Sequence, residues 1–323
     1  MKSFMRPGMI EFIRIFQSQK GVLRIPRSHR QDATPRYTPR RHVLFGFPAL
    51  TAHPSVCLPN GLTIFGLNEN DTLTVYRDIF DDDCYRRNGV TINDGDCILD
   101  IGANTGLFIL FLNKIGAKVR VYAFEPVPAI FQVLTRNVEA YNQLPVQLFN
   151  VGLARTAGRA SFTYYPRFSN ASTLYPDESA EGAKRGRQYI IDQIPTFRWP
   201  LCSLLPWIPG PIQHLIAEPF RRYYLKKETV TCELWNLSEF LRQHDITRID
   251  LLKMDAEQSE EQILAGLAEE DWPKIRQIVV EVHGGVAATR AMTELLRQRG
   301  FHTAVDPNPT IPTLSLVYGV RPS

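Results

Sequence analysis

The sequence predicts an α/β fold built on a parallel sheet with helices on both faces. Three observations predict it. Short apolar runs alternate with helix-length segments from residue 97 onward. The first run, Cys97-Ile-Leu-Asp-Ile101, closes on a glycine loop, Gly102-Ala-Asn-Thr-Gly106, that opens a helix. A second run, Val121-Tyr-Ala-Phe-Glu-Pro126, ends in an acid. Strand, glycine loop, helix and acid-terminated strand together read as a nucleotide-binding βαβ unit.

Upstream, residues 43–66 read as short strands, with Pro59-Asn60-Gly61 as a hairpin signal. Asp71 to Asn88 reads as helical, and Asp94-Gly95 is a turn before the first core strand. The core strand is apolar apart from Asp100, as suits a strand buried on both faces. Leu107-Phe-Ile-Leu-Phe-Leu112 starts the following helix. Then come strand 120–124, helix 127–142 and strand 146–151. Arg159 to Tyr165 and Glu228 to Leu234 alternate in polarity and can pair. A helix over 237–244, a strand over 248–254, a helix over 257–268, a strand over 275–282 and a helix over 287–299 follow. Strands 301–305 and 314–320 are joined by a turn through Pro307-Asn-Pro309, too short for a parallel crossover, so they run antiparallel.

Three regions result: a basic, poorly ordered extension over 1–42, flanking strands and a helix over 43–95, and the main domain over 96–323. The extension holds ten Lys or Arg against Glu11 and Asp32. The whole chain carries only +4, so the remainder is acidic. A nucleic-acid partner is therefore not expected, because its basic footprint would spread over the fold. Glu11 and Arg14 interrupt any secretory signal. Prolines 206, 209, 211 and 219 interrupt the most apolar later stretch, which excludes a spanning helix there. Five scattered cysteines with no C-x-x-C pair suit a reducing compartment, and the expected location is cytoplasmic.

Residues 166–227 form a long insertion rich in proline and aromatics, with Trp199 and Trp207 in an apolar patch. Gaps of this length are usually functional. The expectation is a lid over a small-molecule acceptor, with docking of a carrier protein as the alternative. Oligomeric state is left open.

The glycine loop distinguishes between ligands. A dinucleotide site uses G-x-G-x-x-G with pyrophosphate on the helix end. Here the third glycine is missing and Asp100 precedes the first. A ligand with an ammonium and a carboxylate fits better, as in the methionine part of S-adenosylmethionine (SAM). Asp100 can attract the ammonium, and the N–H groups of Gly102, Ala103, Asn104 and Gly106 can meet the carboxylate. Glu125, followed by Pro126, can accept from two ribose hydroxyls.

With these motifs the chain resembles the class I SAM-dependent methyltransferases of FkbM type. The residues carrying the resemblance are Asp100-Ile-Gly-Ala-Asn-Thr-Gly106, Phe124-Glu-Pro126, Asn150-Val-Gly-Leu153, Ile249-Asp-Leu-Leu-Lys-Met-Asp255 and Val280-Glu-Val-His283. The pre-loop segment Tyr76–Tyr85 fits the family too. The resemblance implies a Rossmann-like, seven-stranded sheet whose last strand is antiparallel. It also implies methyl transfer to a hydroxyl of a secondary metabolite or sugar-containing intermediate, and a place for Asn150 and Val151 beside the adenine. One departure stands out: Gln258 occupies a position where the family pattern has glycine. An NAD-dependent oxidoreductase and a non-catalytic scaffold are the competing readings.

Three residues are candidates for catalysis. His283 ends a strand on the ligand side and has the pKa of a general base. Asp255 can orient the acceptor, act as base, bind a divalent metal, or merely cap helix 257–268. Glu257 lies beside it. Glu281, two residues before His283, can orient the histidine or pair with Lys253, the ion pair being favoured. Asp81-Asp-Asp83 reads as a solvated turn, and no residue is assigned as a metal ligand.

Overall fold

The computed structural model describes residues 54–176, 210, 212, 218, 219, 221–223, 225–309, 311 and 313–322. The expectations for the basic segment 1–42, for strands within 43–53 and for Trp199 and Trp207 concern residues outside this set.

Seven strands form one sheet: β3 (Cys97–Ile101), β4 (Arg120–Phe124), β5 (Val146–Phe149), β9 (Leu251–Met254), β10 (Gln277–His283), β11 (His302–Pro307) and β12 (Leu314–Val320). Their order is β11-β12-β10-β9-β3-β4-β5. The β10–β9, β9–β3, β3–β4 and β4–β5 pairs are parallel, and β12 runs antiparallel to both β10 and β11. The sheet is therefore Rossmann-like with an antiparallel last strand, as expected. All five residues of β3 are buried, which its central position explains.

The helix α2 (Leu107–Lys114) follows the glycine loop and buries six consecutive residues, Leu107 to Leu112. Such a helix has no free polar face and needs cover on every side. The cover is the flanking unit: β1 (Ser55–Cys57), β2 (Thr63–Phe65) and α1 (Glu69–Tyr76), through Val56, Ile64, Tyr76 and Phe80. Asn137, fully buried on α3 (Pro128–Tyr141), ties this unit to the loop. It exchanges hydrogen bonds with the Phe65 backbone and donates to the Thr105 carbonyl at 2.8 Å. The other sheet face packs on α4 (Leu237–Gln243), α5 (Glu260–Leu264) and α6 (Gly285–Gln298) through Phe240, Ile263, Met292 and Leu296. A three-stranded sheet, β6 (Gly152–Ala154), β8 (Glu228–Asn236) and β7 (Gly158–Tyr164), stands beside the main one; β7 and β8 pair antiparallel.

Two expectations change. The helix expected over 71–88 is α1 capped by Asn68, then a π-turn Arg77–Asp81 and a 3₁₀ turn Cys84–Arg86. Asp83, in the αL conformation, spends its carboxylate on Arg86 at 2.7 Å, so the three acids do not converge. The helix expected over 257–268 is only α5, because Glu257 and Gln258 both take positive φ, +47° and +77°. Its N-cap is Ser259, so Asp255 does not cap it.

Candidate active site

The candidate residues lie at the carboxyl ends of β3, β4, β5, β9 and β10, where ligands bind in open α/β sheets. Gly102 has φ +75°, and a Cβ there would stand 1.7 Å from the Asp255 carbonyl oxygen. Only glycine lets the β3 and β9 ends approach this closely. Gly106 has φ +89°, and a Cβ there would meet Leu134 at 2.8 Å.

The loop N–H groups are largely spent within the protein. Gly102 and Ala103 donate to the Phe124 carbonyl at 3.0 and 2.9 Å, and Gly106 to Ala103. Asn104 donates to Glu125 Oε2 at 3.1 Å. The N–H groups left for an incoming anion are those of the first turn of α2, which have no intrahelical acceptor.

Glu125 is buried, 5% exposed. Its Oε1 accepts from Val127 N–H at 2.9 Å and its Oε2 from Asn104, so each oxygen keeps a lone pair for a further donor. Burial, partly offset by these two bonds, pushes its pKa up to about 7. Asn150 donates to the Glu125 and Pro126 carbonyls at 2.9 and 3.1 Å, fixing the turn after β4. Val151 is buried below it. A buried carboxylate with spare lone pairs is suited to a vicinal diol, and this fits the ribose of SAM.

Asp100 has no exposed surface. It stands opposite Lys253 in the β3–β9 register, and the Lys253 ammonium is 3.0 Å from its Oδ1. The same ammonium donates to the Gly102 carbonyl at 2.8 Å. Burial raises the Asp100 pKa and Lys253 opposes that rise. The ion pair expected between Lys253 and Glu281 is thus made with Asp100 instead, because the parallel register sets those two side by side.

His283 lies at the centre of the other cluster. Its Nε2 is 3.3 Å from Glu257 and 4.0 Å from Glu281, and its Nδ1 is 3.3 Å from Glu260. Burial disfavours the charged imidazole, but Glu257, Glu260 and Glu281 outweigh it and push its pKa up to about 10. The carboxylates around it therefore favour the charged form of the imidazole. Burial, opposed by His283 and reinforced by Asp255, raises Glu257 to about 8. Glu281 is raised by burial and by Asp255.

Sequence reasoning missed Glu260 and Asn170. Glu260 is buried and accepts from the Ala256 and Gln258 N–H groups at 3.2 and 3.1 Å, holding the 256–259 turn. An acid four residues beyond Ala256 was the available signal, obscured by the expectation of a helix. Asn170 lies where the insertion leaves β7; its Oδ1 accepts from Asn104 Nδ2 at 3.0 Å. Around it, Ser169 N–H donates to Asp71 at 2.9 Å and Thr173 Oγ1 to the Glu257 carbonyl at 2.6 Å. Residues 169–173 thus bridge α1, the glycine loop and the acidic turn. Two surface cavities, of about 290 and 580 Å³, lie elsewhere, lined by residues such as Arg120 and Arg248, and Trp235 and Gln243.

A buried carboxylate with free lone pairs and an acid–histidine cluster lie at one end of such a sheet, and comparison with known proteins makes the chain a SAM-dependent methyltransferase. The family follows from comparison. Residues 100–303 match the model described as "Methyltransferase FkbM domain", and the chain belongs to that family. The chain is 32% identical over 252 residues to the 31-O-demethyl-FK506 methyltransferase FkbM of Streptomyces tacrolimicus, covering 78% of this chain and 90% of that protein. It is 33% identical over 268 residues to the AMB antimetabolite synthetase AmbE of Pseudomonas aeruginosa, covering 77% of this chain but 12% of the synthetase. It is 28% identical over 272 residues to the methyltransferase sdnD of Sordaria araneosa, covering 80% and 93%. Among the described residues no helix is long and apolar enough to cross a membrane.

Proposed function

We propose that this methyltransferase transfers the methyl group of SAM to a hydroxyl of a small molecule, a secondary metabolite or a sugar-containing intermediate. The observation that carries the reading is the placement of Glu125 and the His283 cluster at the carboxyl ends of β4 and β10, on the same side of one sheet. One holds the donor's ribose and the other faces the reacting hydroxyl. The similarity to an enzyme named for methylation at an oxygen supports the hydroxyl as acceptor.

SAM supplies an activated methyl when bound. The residues for it are Gly102, Ala103, Asn104 and Gly106 as the loop, Glu125 and Pro126 at the ribose, and Asn150 and Val151 beside the adenine. Asp100 acts by fixing Lys253 and so the Gly102 carbonyl. Methyl transfer is mainly a positioning problem, and well-oriented reactants gain about 7–11 kcal/mol. A base at the hydroxyl adds roughly 10²–10⁴ in rate. Glu257, raised to about 8 mainly by burial, suits that role better than the charged His283. Asp255 orients the acceptor, and His283 holds the carboxylates in place. Asn170 and Thr173 begin a cover over donor and acceptor, and most of the lid expected over 166–227 lies outside the described residues.

Calorimetry with SAM, S-adenosylhomocysteine and NAD tests the donor; binding of NAD alone would sink the reading. Mass spectrometry after incubation with SAM and candidate acceptors tests the acceptor, the expected product being one methylene heavier. Methylation found only on nitrogen would refute the hydroxyl assignment.

A further inference from the structure

Four carboxylates, Asp255, Glu257, Glu260 and Glu281, gather around the single imidazole of His283. The buried Lys253 ammonium nearby is already engaged by Asp100 and the Gly102 carbonyl. Four carboxyl side chains therefore share one imidazole at one end of the sheet, a donor set of oxygens and a ring nitrogen.

Resting on the methyltransferase reading above, we propose that Asp255, Glu281 and His283 Nε2 are the protein ligands of a divalent first-row metal ion, and that Glu260 is the outer carboxylate orienting His283. Three features carry this. First, one donor atom from each of Asp255, Glu281 and His283 lies within 4.8 Å of the others. Donors on one ion at about 2.1 Å stand roughly 3–4 Å apart, so contraction of about an ångström completes the set. Second, the sheet presents them together. Met254 pairs with Val280 in the β9–β10 register, which sets Asp255 beside Glu281, and His283 follows two residues later on the same side. Third, Glu260 contacts Nδ1, not Nε2. A carboxylate on one ring nitrogen directs the other at the metal. Glu260 is itself locked by the Ala256 and Gln258 N–H groups.

Two carboxylates and one imidazole suit Mn²⁺, Fe²⁺, Co²⁺ or Zn²⁺; Ca²⁺ wants six to eight oxygens. Coordination replaces the Nε2 proton facing Glu257 by the ion. Three protein ligands leave positions open for the acceptor's hydroxyl oxygen, whose pKa the ion lowers. The oxygen then forms its bond to the methyl carbon as the carbon–sulfur bond breaks. The electron pair stays on sulfur, and the hydroxyl proton passes to Glu257.

The test uses the full chain, stripped with EDTA, in the presence of S-adenosylhomocysteine. Mn²⁺ binding is read from loss of the free-ion EPR signal, and Co²⁺ binding from its absorption bands. The expected result is one ion per chain. Glu281→Gln and Asp255→Asn should abolish stoichiometric binding, His283→Gln should change the cobalt spectrum, and Glu260→Gln should weaken binding about 10–100-fold. S-adenosylhomocysteine affinity, measured on each variant, reports that the fold is kept. If the wild type binds S-adenosylhomocysteine but takes up neither Mn²⁺ nor Co²⁺ stoichiometrically, the metal site is overturned and the methyltransferase reading stands. Mn²⁺ affinity unchanged in Glu281→Gln overturns it equally. A wild type that binds no S-adenosylhomocysteine overturns the underlying reading and the inference with it. The wild-type stoichiometry decides even where a variant fails to fold.

Discussion

The Lys253–Asp100 pair is the strongest single commitment in the site, and breaking it should be costly. Lys253 is 4% exposed at its side chain and Asp100 is not exposed at all, so neither charge can fall back on water. Lys253→Met keeps the length of the stem but removes the ammonium. Asp100 is then a buried carboxylate without a cation, and the Gly102 carbonyl loses its donor. Breaking one side of such a pair costs about 3–5 kcal/mol. Asp100→Asn alone strands the ammonium and should also destabilise. The double variant removes both charges, so its loss should fall short of the summed single losses by about 2–3 kcal/mol. Urea unfolding of the four proteins gives the cycle. The pH dependence supplies an independent check. Burial already raises the Asp100 pKa and Lys253 opposes it, so removing Lys253 raises it further. A raised carboxylate destabilises the fold above its unfolded pKa, and that penalty fades as pH falls. Lys253→Met should therefore recover relative to wild type as pH drops below neutrality. Losses that add within about 0.5 kcal/mol, or a Lys253→Met deficit independent of pH, would refute the argument.

Glu125→Gln should weaken SAM binding and flatten its pH profile. With the wild-type pKa pushed up to about 7, chiefly by burial, affinity should improve as pH rises through 7, by up to about tenfold per unit below it; calorimetry that finds the same pH slope in both proteins contradicts the ribose role. The same shift means that Glu125's contribution to folding stability is greatest below its unfolded pKa and is lost as pH climbs toward 7. Gln258→Gly should raise stability by up to about 1 kcal/mol: a non-glycine residue at φ +77° costs about 1–2 kcal/mol, less the chain entropy glycine adds. A lower melting temperature in that variant would argue against strain at 258. Gly102→Ala places a methyl 1.7 Å from the Asp255 carbonyl oxygen, so it should abolish S-adenosylhomocysteine binding or folding, and a variant with wild-type affinity would show that the strand ends can part. Asn170→Ala should speed dissociation of S-adenosylhomocysteine in stopped-flow measurements, and an unchanged rate would remove residues 169–173 from the cover.

What was legible in the sequence, and what was not, divides along the range of the interactions. The strands and α2 were legible because burial on both faces writes itself as a mostly apolar run. The glycine loop and Glu125 were legible because their partners lie within one βαβ unit; Asn104 reaches Glu125 over 21 positions of chain. The pairing of Asp100 with Lys253 was not, because it crosses 153 positions and depends on the β3–β9 register, which no local pattern encodes. The turn 255–260 misled for a different reason. Its composition, two glutamates and a glutamine before Ile263 and Leu264, favours helix, and local propensity alone extends α5 back to 257. Tertiary packing overrides it: Glu260 folds back onto the Ala256 and Gln258 N–H groups, and the backbone takes two successive positive φ values to allow this. Strained backbone at a site is retained when the surroundings over-determine it. Here the determining contacts are Glu260 within the turn, Thr173 on the Glu257 carbonyl and Glu257 on His283. The family's glycine at 258 would relieve the strain. Its replacement by glutamine leaves the turn's conformation set by these contacts, which are the same ones that hold the carboxylates around His283. In this chain the shape of the acidic turn and the assembly of the acceptor side are therefore a single structural event, and a substitution that releases one should disperse the other.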